Sequence, residues 1–180
     1  MHWGDPEVVK PLRFVKGHYL KPLLQPGITV TEIGPGGGRW TQYLKAAGRR
    51  VYAVDFYQEM LEELARRHRG ENIIPVKNSG DDFPGIGDEE VDLVFSFDAF
   101  VHFDLPLVEA YLRNMRRIMK PGAKAFINYS DKRKIMAQLN DGFSENDPDT
   151  MRELVTRLGY KIVVEDTTTM WHSSIVIFEH

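Results

Sequence analysis

Four glycines crowd into five positions in the stretch Val30-Thr-Glu-Ile-Gly-Pro-Gly-Gly-Gly-Arg-Trp40. A β-branched apolar run ends at Ile33, and a segment of helical period follows the glycines. Glycine lets a backbone turn tightly and lets a ligand approach with no Cβ in the way. The N-terminus of the following helix offers free N–H groups and a partial positive charge. A plain strand-to-helix turn needs fewer glycines, so a ligand cradle is expected. Asp55 closes the next apolar run, 21 positions after Gly34. In an open parallel sheet it reaches the rim of the same crevice, where a carboxylate accepts both hydroxyls of a ribose. Asp98 and His102 follow a later run. If 98–103 forms one helical turn, both face the same way, and a histidine titrating near neutrality is a natural base for a hydroxyl. The alternatives are an N-cap role for Asp98 and a packed or capping role for His102.

These residues need a scaffold of strand ends, and the chain supplies one. Runs rich in β-branched and aromatic residues occur at 28–33, 50–55, 72–77, 91–97, 123–129, 160–165 and 173–178, bounded by turn residues. Helical periodicity falls between them, at 38–47, 57–68, 107–119 and 151–158. Asp147-Pro148 reads as an N-cap with proline at the first helical position. A further helix over 7–24 precedes the first strand, with Pro11 and Pro22 expected to break or bend it. Alternating strands and helices predict an α/β fold with a mostly parallel sheet covered on both faces. The segment 166–172 is too short for a crossover helix, so the last two strands form an antiparallel pair.

Composition narrows the functions. The chain has 180 residues, which argues for one domain: 1–27 an N-terminal helical or lid segment, 28–180 a core. Twenty-three basic and 26 acidic residues give a net charge of -3, without the basic excess of a nucleic-acid binder. The absence of cysteine removes disulfides, cysteine metal sites and thiol nucleophiles, and no metal site is expected. No apolar run has the length of a membrane span, and Met1 to Lys10 lacks the apolar stretch of a signal peptide, so a cytoplasmic, non-membrane protein is expected. Lys132-Arg-Lys134 reads as a solvated helix face. The dinucleotide fingerprint fails at its third glycine, where Arg39 stands, and no P-loop Gly-Lys-Ser/Thr occurs.

With these motifs in order, the chain over 28–180 resembles a class I S-adenosylmethionine-dependent methyltransferase. Glu32-Ile-Gly34-Pro-Gly36-Gly-Gly38 matches the family's acidic-x-Gly-x-Gly-x-Gly motif, and Val51-Tyr-Ala-Val-Asp55 its strand-two acid. The block 91–103, the helix and turn ending in Lys120-Pro-Gly122, and Gly159-Tyr-Lys-Ile-Val-Val164 resemble three later family stretches. The resemblance implies a three-layer Rossmann-like sandwich with a seven-stranded sheet in the order 3-2-1-4-5-7-6. It also implies S-adenosylmethionine as cofactor. Gly34, Gly36 and Gly38 would meet the methionine part, Glu32 would organise the ammonium, and Asp55 would take the ribose hydroxyls. Phe56 would pack on the adenine. Asn78, Ser79, Gly80 and Asp81 would flank its edge, with Ser79 where the family often has an acid. Ser96 and Phe97 would lie beneath the cofactor with their backbone groups available.

The activity implied is methyl transfer to a hydroxyl or amine of a small-molecule acceptor, with Asp98 and His102 as catalytic candidates. At this length the acceptor site must draw on the N-terminal segment around Trp3, the loop after strand five and, in one alternative, a second subunit of a homodimer. Tyr129 is the best placed aromatic for that site; His18 and His172 carry no assignment. Two other readings compete: a cofactor-binding module without turnover, and an NAD-dependent oxidoreductase.

Overall fold

The computed structural model describes residues 4–180. Trp3, for which a lid over the crevice and packing on the core edge were both open, lies outside the described residues. The sheet has seven strands in the order β3-β2-β1-β4-β5-β7-β6, as expected. They are β1 (Thr29–Ile33), β2 (Arg50–Asp55), β3 (Ile73–Lys77), β4 (Val91–Ser96), β5 (Met119–Ser130), β6 (Lys161–Asp166) and β7 (Ser173–Glu179). All neighbours up to β5 pair in parallel; β7 runs antiparallel to both β5 and β6. Strand order reverses between β1 and β4, so the carboxyl ends of these two strands flank the crevice.

Helices α1 (Lys10–Phe14), α2 (Lys21–Leu23) and α3 (Thr41–Ala47) cover one face with α4 (Gln58–Arg67). Helices α5 (Leu105–Ile118) and α7 (Pro148–Arg157) cover the other, and a short α6 (Ile135–Gln138) follows β5. Strand alternation assigns the two cores. Leu93, Phe95 and Phe97 with Phe126, Ile175 and Ile177 meet Leu12, Trp40 and Leu44 on the first face. Val94, Ala125, Ile127, Val176 and Phe178 meet Val108, Leu112, Met115 and Leu154 on the second. Such two-sided burial is why the central strands read as continuous apolar runs.

Four expectations need correction. The N-terminal helix is not one piece over 7–24: a widened π turn, Val15–Leu20, separates α1 and α2, whose first turns carry the two prolines. Proline lacks the N–H that an interior turn needs, and a first turn does not need it. The helix expected at 38–47 starts at Thr41, because the glycine loop keeps turning through Trp40. Strand β5 is longer than expected. It begins at Met119 and absorbs Pro121-Gly122, where its pairing with β4 shifts between Val91 and Leu93. Lys132 to Lys134 is a turn, and its charges meet Asp131, Asp147 and Asp149. Pro75 sits in β3, at the sheet edge, where the missing donor breaks no inner ladder.

Candidate active site

The crevice begins where β1 stops. Gly34, Gly36 and Gly38 all have positive φ, at 68°, 51° and 80°, in the region open chiefly to glycine. Their surroundings differ. A Cβ on Gly34 would stand 2.5 Å from Ala99 Cβ, and one on Gly38 would stand 2.9 Å from Leu64 Cδ1, so both glycines permit close packing. A Cβ on Gly36 would meet nothing within 4 Å. Gly36 is therefore the bare wall of the cradle. Arg67 closes its outer side by donating to the Gly37 carbonyl at 2.9 Å.

Glu32 lies behind the loop, 2% exposed. Its Oε2 accepts from the Thr41 hydroxyl at 2.6 Å. Burial pushes its pKa up to about 7, against the opposing pull of the Thr41 hydrogen bond and the Arg39 charge. A buried carboxylate with so little compensation suits a cationic group brought in by a ligand.

Asp55 ends β2 beside this loop, whose Gly34 N–H bonds the Val54 carbonyl at 2.9 Å. Its Oδ1 accepts from the Tyr57 N–H at 2.9 Å. Burial raises its pKa, offset in part by the N–H groups of Tyr57 and Phe56 and by Lys77. Phe56 is half exposed next to it, with the Lys77 ammonium 4.2 Å from the ring centroid. One ring face is thus engaged by a cation, and an adenine would use the other. Asn78 is buried; it donates from its N–H to the Asp55 carbonyl and from Nδ2 to the Tyr111 hydroxyl at 2.8 Å, while Oδ1 has no partner. The Ser79 N–H and hydroxyl both bond Asp82, a turn that places Gly80 at φ 132°. Asp81 accepts from Asn114 at 3.1 Å.

The other wall of the crevice starts at the end of β4. Ser96 is fully buried, and its hydroxyl donates to the Ile33 carbonyl at 2.9 Å, tying β4 to β1. Phe97 packs against Trp40 and Phe126 while lining the crevice. Asp98 has φ 64°, a conformation aspartate tolerates better than most residues. Its Oδ2 pairs with the Arg39 guanidinium at 2.5 Å, and its Oδ1 lies 3.7 Å from His172 Nε2. Burial would raise the Asp98 pKa; the His172 ring and the Arg39 charge outweigh it and hold the carboxyl below the ordinary range.

Asp98 and His102 do not share one helical turn. The left-handed Asp98 precedes a short 3₁₀ turn, Phe100–His102, whose N-cap is Ala99. Asp98 is not that turn's cap; it faces Arg39 and His172. The exposed His102 ring bonds the Gly142 carbonyl through Nδ1 at 2.7 Å. A carbonyl accepts, so Nδ1 donates and Nε2 keeps its lone pair. Phe143 lies between two histidines, 5.5 Å from His102 and 5.2 Å from His172. Tyr129, expected on the crevice, is 1% exposed and belongs to the core, because the β5 alternation sends it to the α5–α7 face.

Between the glycine loop and the end of β4 is a cavity of about 660 Å³, lined by Gly4 to Pro6, Gly34 to Gly37, Arg39, Trp40, Phe97 and Asp98; Asp55, His102 and His172 lie outside its lining. Another, of about 360 Å³, lies among Pro22, Ile28, Asp92 and Lys120. Ile28 and Asp92 lie at the amino ends of β1 and β4, opposite the end at which open parallel sheets bind ligands. The larger cavity is therefore the candidate site. No cluster of three or more metal-ligating side chains occurs among the described residues.

The sequence profile of a family described as a methyltransferase domain matches residues 31–127, from β1 through most of β5. The chain belongs to the class I S-adenosylmethionine-dependent methyltransferases. Solved structures show the same fold. A methyltransferase of this kind from Aquifex aeolicus is 21% identical with a TM-score of 0.71, over 97% of this chain and 91% of that one. One from Mesorhizobium loti is 13% identical with a TM-score of 0.76, over 92% and 98%. The Burkholderia thailandensis 1,6-didemethyltoxoflavin-N1-methyltransferase, solved with that compound and S-adenosylhomocysteine, is 19% identical with a TM-score of 0.71, over 94% and 78%. No curated protein matches the chain at a significant level.

Arg39 and His172 entered the site unannounced. Arg39 stood out in the sequence only as the residue that breaks a dinucleotide pattern, and His172 carried no local signal. Their shared partner, Asp98, is distant from both in the chain.

Proposed function

We propose that this methyltransferase acts on a hydroxyl or amine of a small molecule that enters the crevice between the glycine loop, the N-terminal segment and the loop around Phe143. One observation carries the cofactor half of this reading. A bare wall at Gly36 and the buried Glu32 carboxylate, only partly compensated by Thr41 and Arg39, lie at one strand end, next to Asp55 at the end of the adjacent strand. These groups fit the methionine and ribose parts of S-adenosylmethionine. Glu32 would hold the ammonium, Asp55 the ribose hydroxyls and Phe56 the adenine face, with Asn78 to Asp81 along its edge. Ser96 is absorbed by the sheet, so Phe97 supplies the floor. When bound, the cofactor supplies a methyl group already activated on a sulfonium.

The remaining work falls to the protein. It must align the acceptor with the methyl group, and such positioning contributes up to roughly 7–11 kcal/mol. It must also help a neutral hydroxyl or protonated amine lose a proton. Asp98 stays ionised and places negative charge beside the acceptor. His102 presents the Nε2 lone pair at the rim, where it would hold or deprotonate the acceptor. The Burkholderia neighbour, with its small heterocyclic compound bound, supports an acceptor of this size.

Calorimetry with S-adenosylmethionine, S-adenosylhomocysteine and NAD tests the reading, followed by turnover against a panel of phenols and amines. Binding of NAD alone would overturn it, and binding without turnover would favour the non-catalytic module. Asp55→Asn keeps the shape but weakens hydrogen bonds to a charged group, each worth about 1.5–3 kcal/mol. The affinity for S-adenosylhomocysteine should fall roughly 10- to 100-fold. Unchanged affinity would remove Asp55 from the site.

A further inference from the structure

Asp98 and His172 form a pair that the sequence did not suggest. Asp98 Oδ1 and His172 Nε2 are both buried, both without a hydrogen-bond partner, and 3.7 Å apart. That distance is about 0.5 Å beyond the hydrogen-bond range. Leaving two complementary buried groups unpaired is costly, so the pair is built to meet. The backbone around it is pinned. Asn128 accepts from the Asp98 N–H at 3.2 Å and donates to Ser173 Oγ at 2.8 Å and the Ser174 carbonyl at 3.3 Å. Lys134 donates to the carbonyls of Met170 and Ser173, on either side of His172. The His172 carbonyl itself accepts from the Asp131 N–H.

Resting on the methyl-transfer reading, we propose that His172 is the base that takes the acceptor's proton, and that Asp98 is the positioning residue that orients it. Asp98 is held ionised by the His172 ring and by Arg39, so it faces the ring as a charged hydrogen-bond acceptor and does not itself take the proton. Facing this carboxylate, His172 keeps its proton on Nε2. The imidazole geometry then turns Nδ1, with its lone pair, away from Asp98, and 19% of the side chain reaches solvent. As the acceptor's lone pair forms its bond to the methyl carbon, the carbon–sulfur bond breaks and its electron pair stays on sulfur. The acceptor proton moves to His172 Nδ1. The imidazolium so formed is paired with Asp98 and later releases the proton to solvent. His102, whose ring bonds the Gly142 carbonyl, is left to bind the acceptor.

Two measurements on the full chain test the assignment. Nitrogen-15 NMR should show the His172 ring protonated on Nε2 in the wild type, and a mixture of tautomers in Asp98→Asn. His172→Gln identifies the resonance. Under saturating S-adenosylmethionine, His172→Gln should lower kcat about 10²- to 10⁴-fold on any phenol or amine the wild type methylates. Its affinity for S-adenosylhomocysteine should stay unchanged. The double variant with Asp98→Asn should be hardly slower than either single one, because the two act as a unit. His102→Gln should act mainly on KM. A proton on Nδ1, or wild-type kcat in His172→Gln, would overturn the assignment. Should the wild type methylate nothing in the panel, the methyl-transfer reading would suffer, and the tautomer alone would decide whether the pair exists.

Discussion

Gly34→Ala is expected to destabilise the protein by about 2–5 kcal/mol. Two costs add. A φ of 68° penalises an alanine by about 1–2 kcal/mol. The new methyl would lie 2.5 Å from Ala99 Cβ, and overpacking of this kind costs about 1–3 kcal/mol. Ala99 is the N-cap of the 3₁₀ turn that carries His102, so its displacement would also move that turn. Urea unfolding measures the effect. Adding Ala99→Gly to Gly34→Ala should recover the packing part and leave the backbone part. Gly36→Ala is the contrast: no neighbour lies within 4 Å, so its stability loss should be confined to the backbone cost, while its added methyl obstructs the cradle. If Gly34→Ala proved as stable as the wild type, the close approach of the β1 turn to the β4 turn would be wrong.

The second large effect is a pH-dependent stability that vanishes in Glu32→Gln. The Glu32 carboxyl is pushed from 4.5 up to about 7 by burial. A carboxyl with a raised folded-state pKa contributes stability that is fully present below its unfolded value and is lost as pH rises through the folded one. The window therefore runs from about pH 4.5 to above pH 7. The shift corresponds to about 3 kcal/mol at 1.36 kcal/mol per pH unit. The wild type, compared with Glu32→Gln, should lose about three quarters of this amount between pH 5 and pH 8.5 in urea titrations without cofactor. Parallel stability curves for the two proteins would show that Glu32 is solvated after all. An ammonium bound at Glu32 would offset the loss, so saturating S-adenosylhomocysteine should flatten the wild-type curve.

The two effects separate what a carboxylate and a glycine do at the same turn. Gly34 is needed by the fold, since its missing side chain lets two strand ends touch. Glu32 opposes the fold above neutral pH, the kind of local cost that functional sites carry. Gly36 is needed by neither packing nor the core, and its positive φ is what the turn asks of it.

Much of this was legible in the chain alone. Apolar runs covered on both faces read as strands, alternation with helical periods read as a parallel sheet, and the short 166–172 connection read as an antiparallel end. The glycine turn after β1 and the place of Asp55 at the end of β2 were legible because both follow local rules: a turn chemistry, and the length of an apolar run. Tertiary structure alone decided the surroundings of Asp98. It gave Asp98 a left-handed backbone that broke the expected turn with His102, sent Tyr129 into the core, and buried Ser96 in the sheet. It also brought Arg39 and His172 to one carboxylate from opposite ends of the chain. Periodicity encodes which face of an element is buried, a local property. Which side chains meet at the ends of a sheet depends on strand order and loop path, and no short window of sequence contains either.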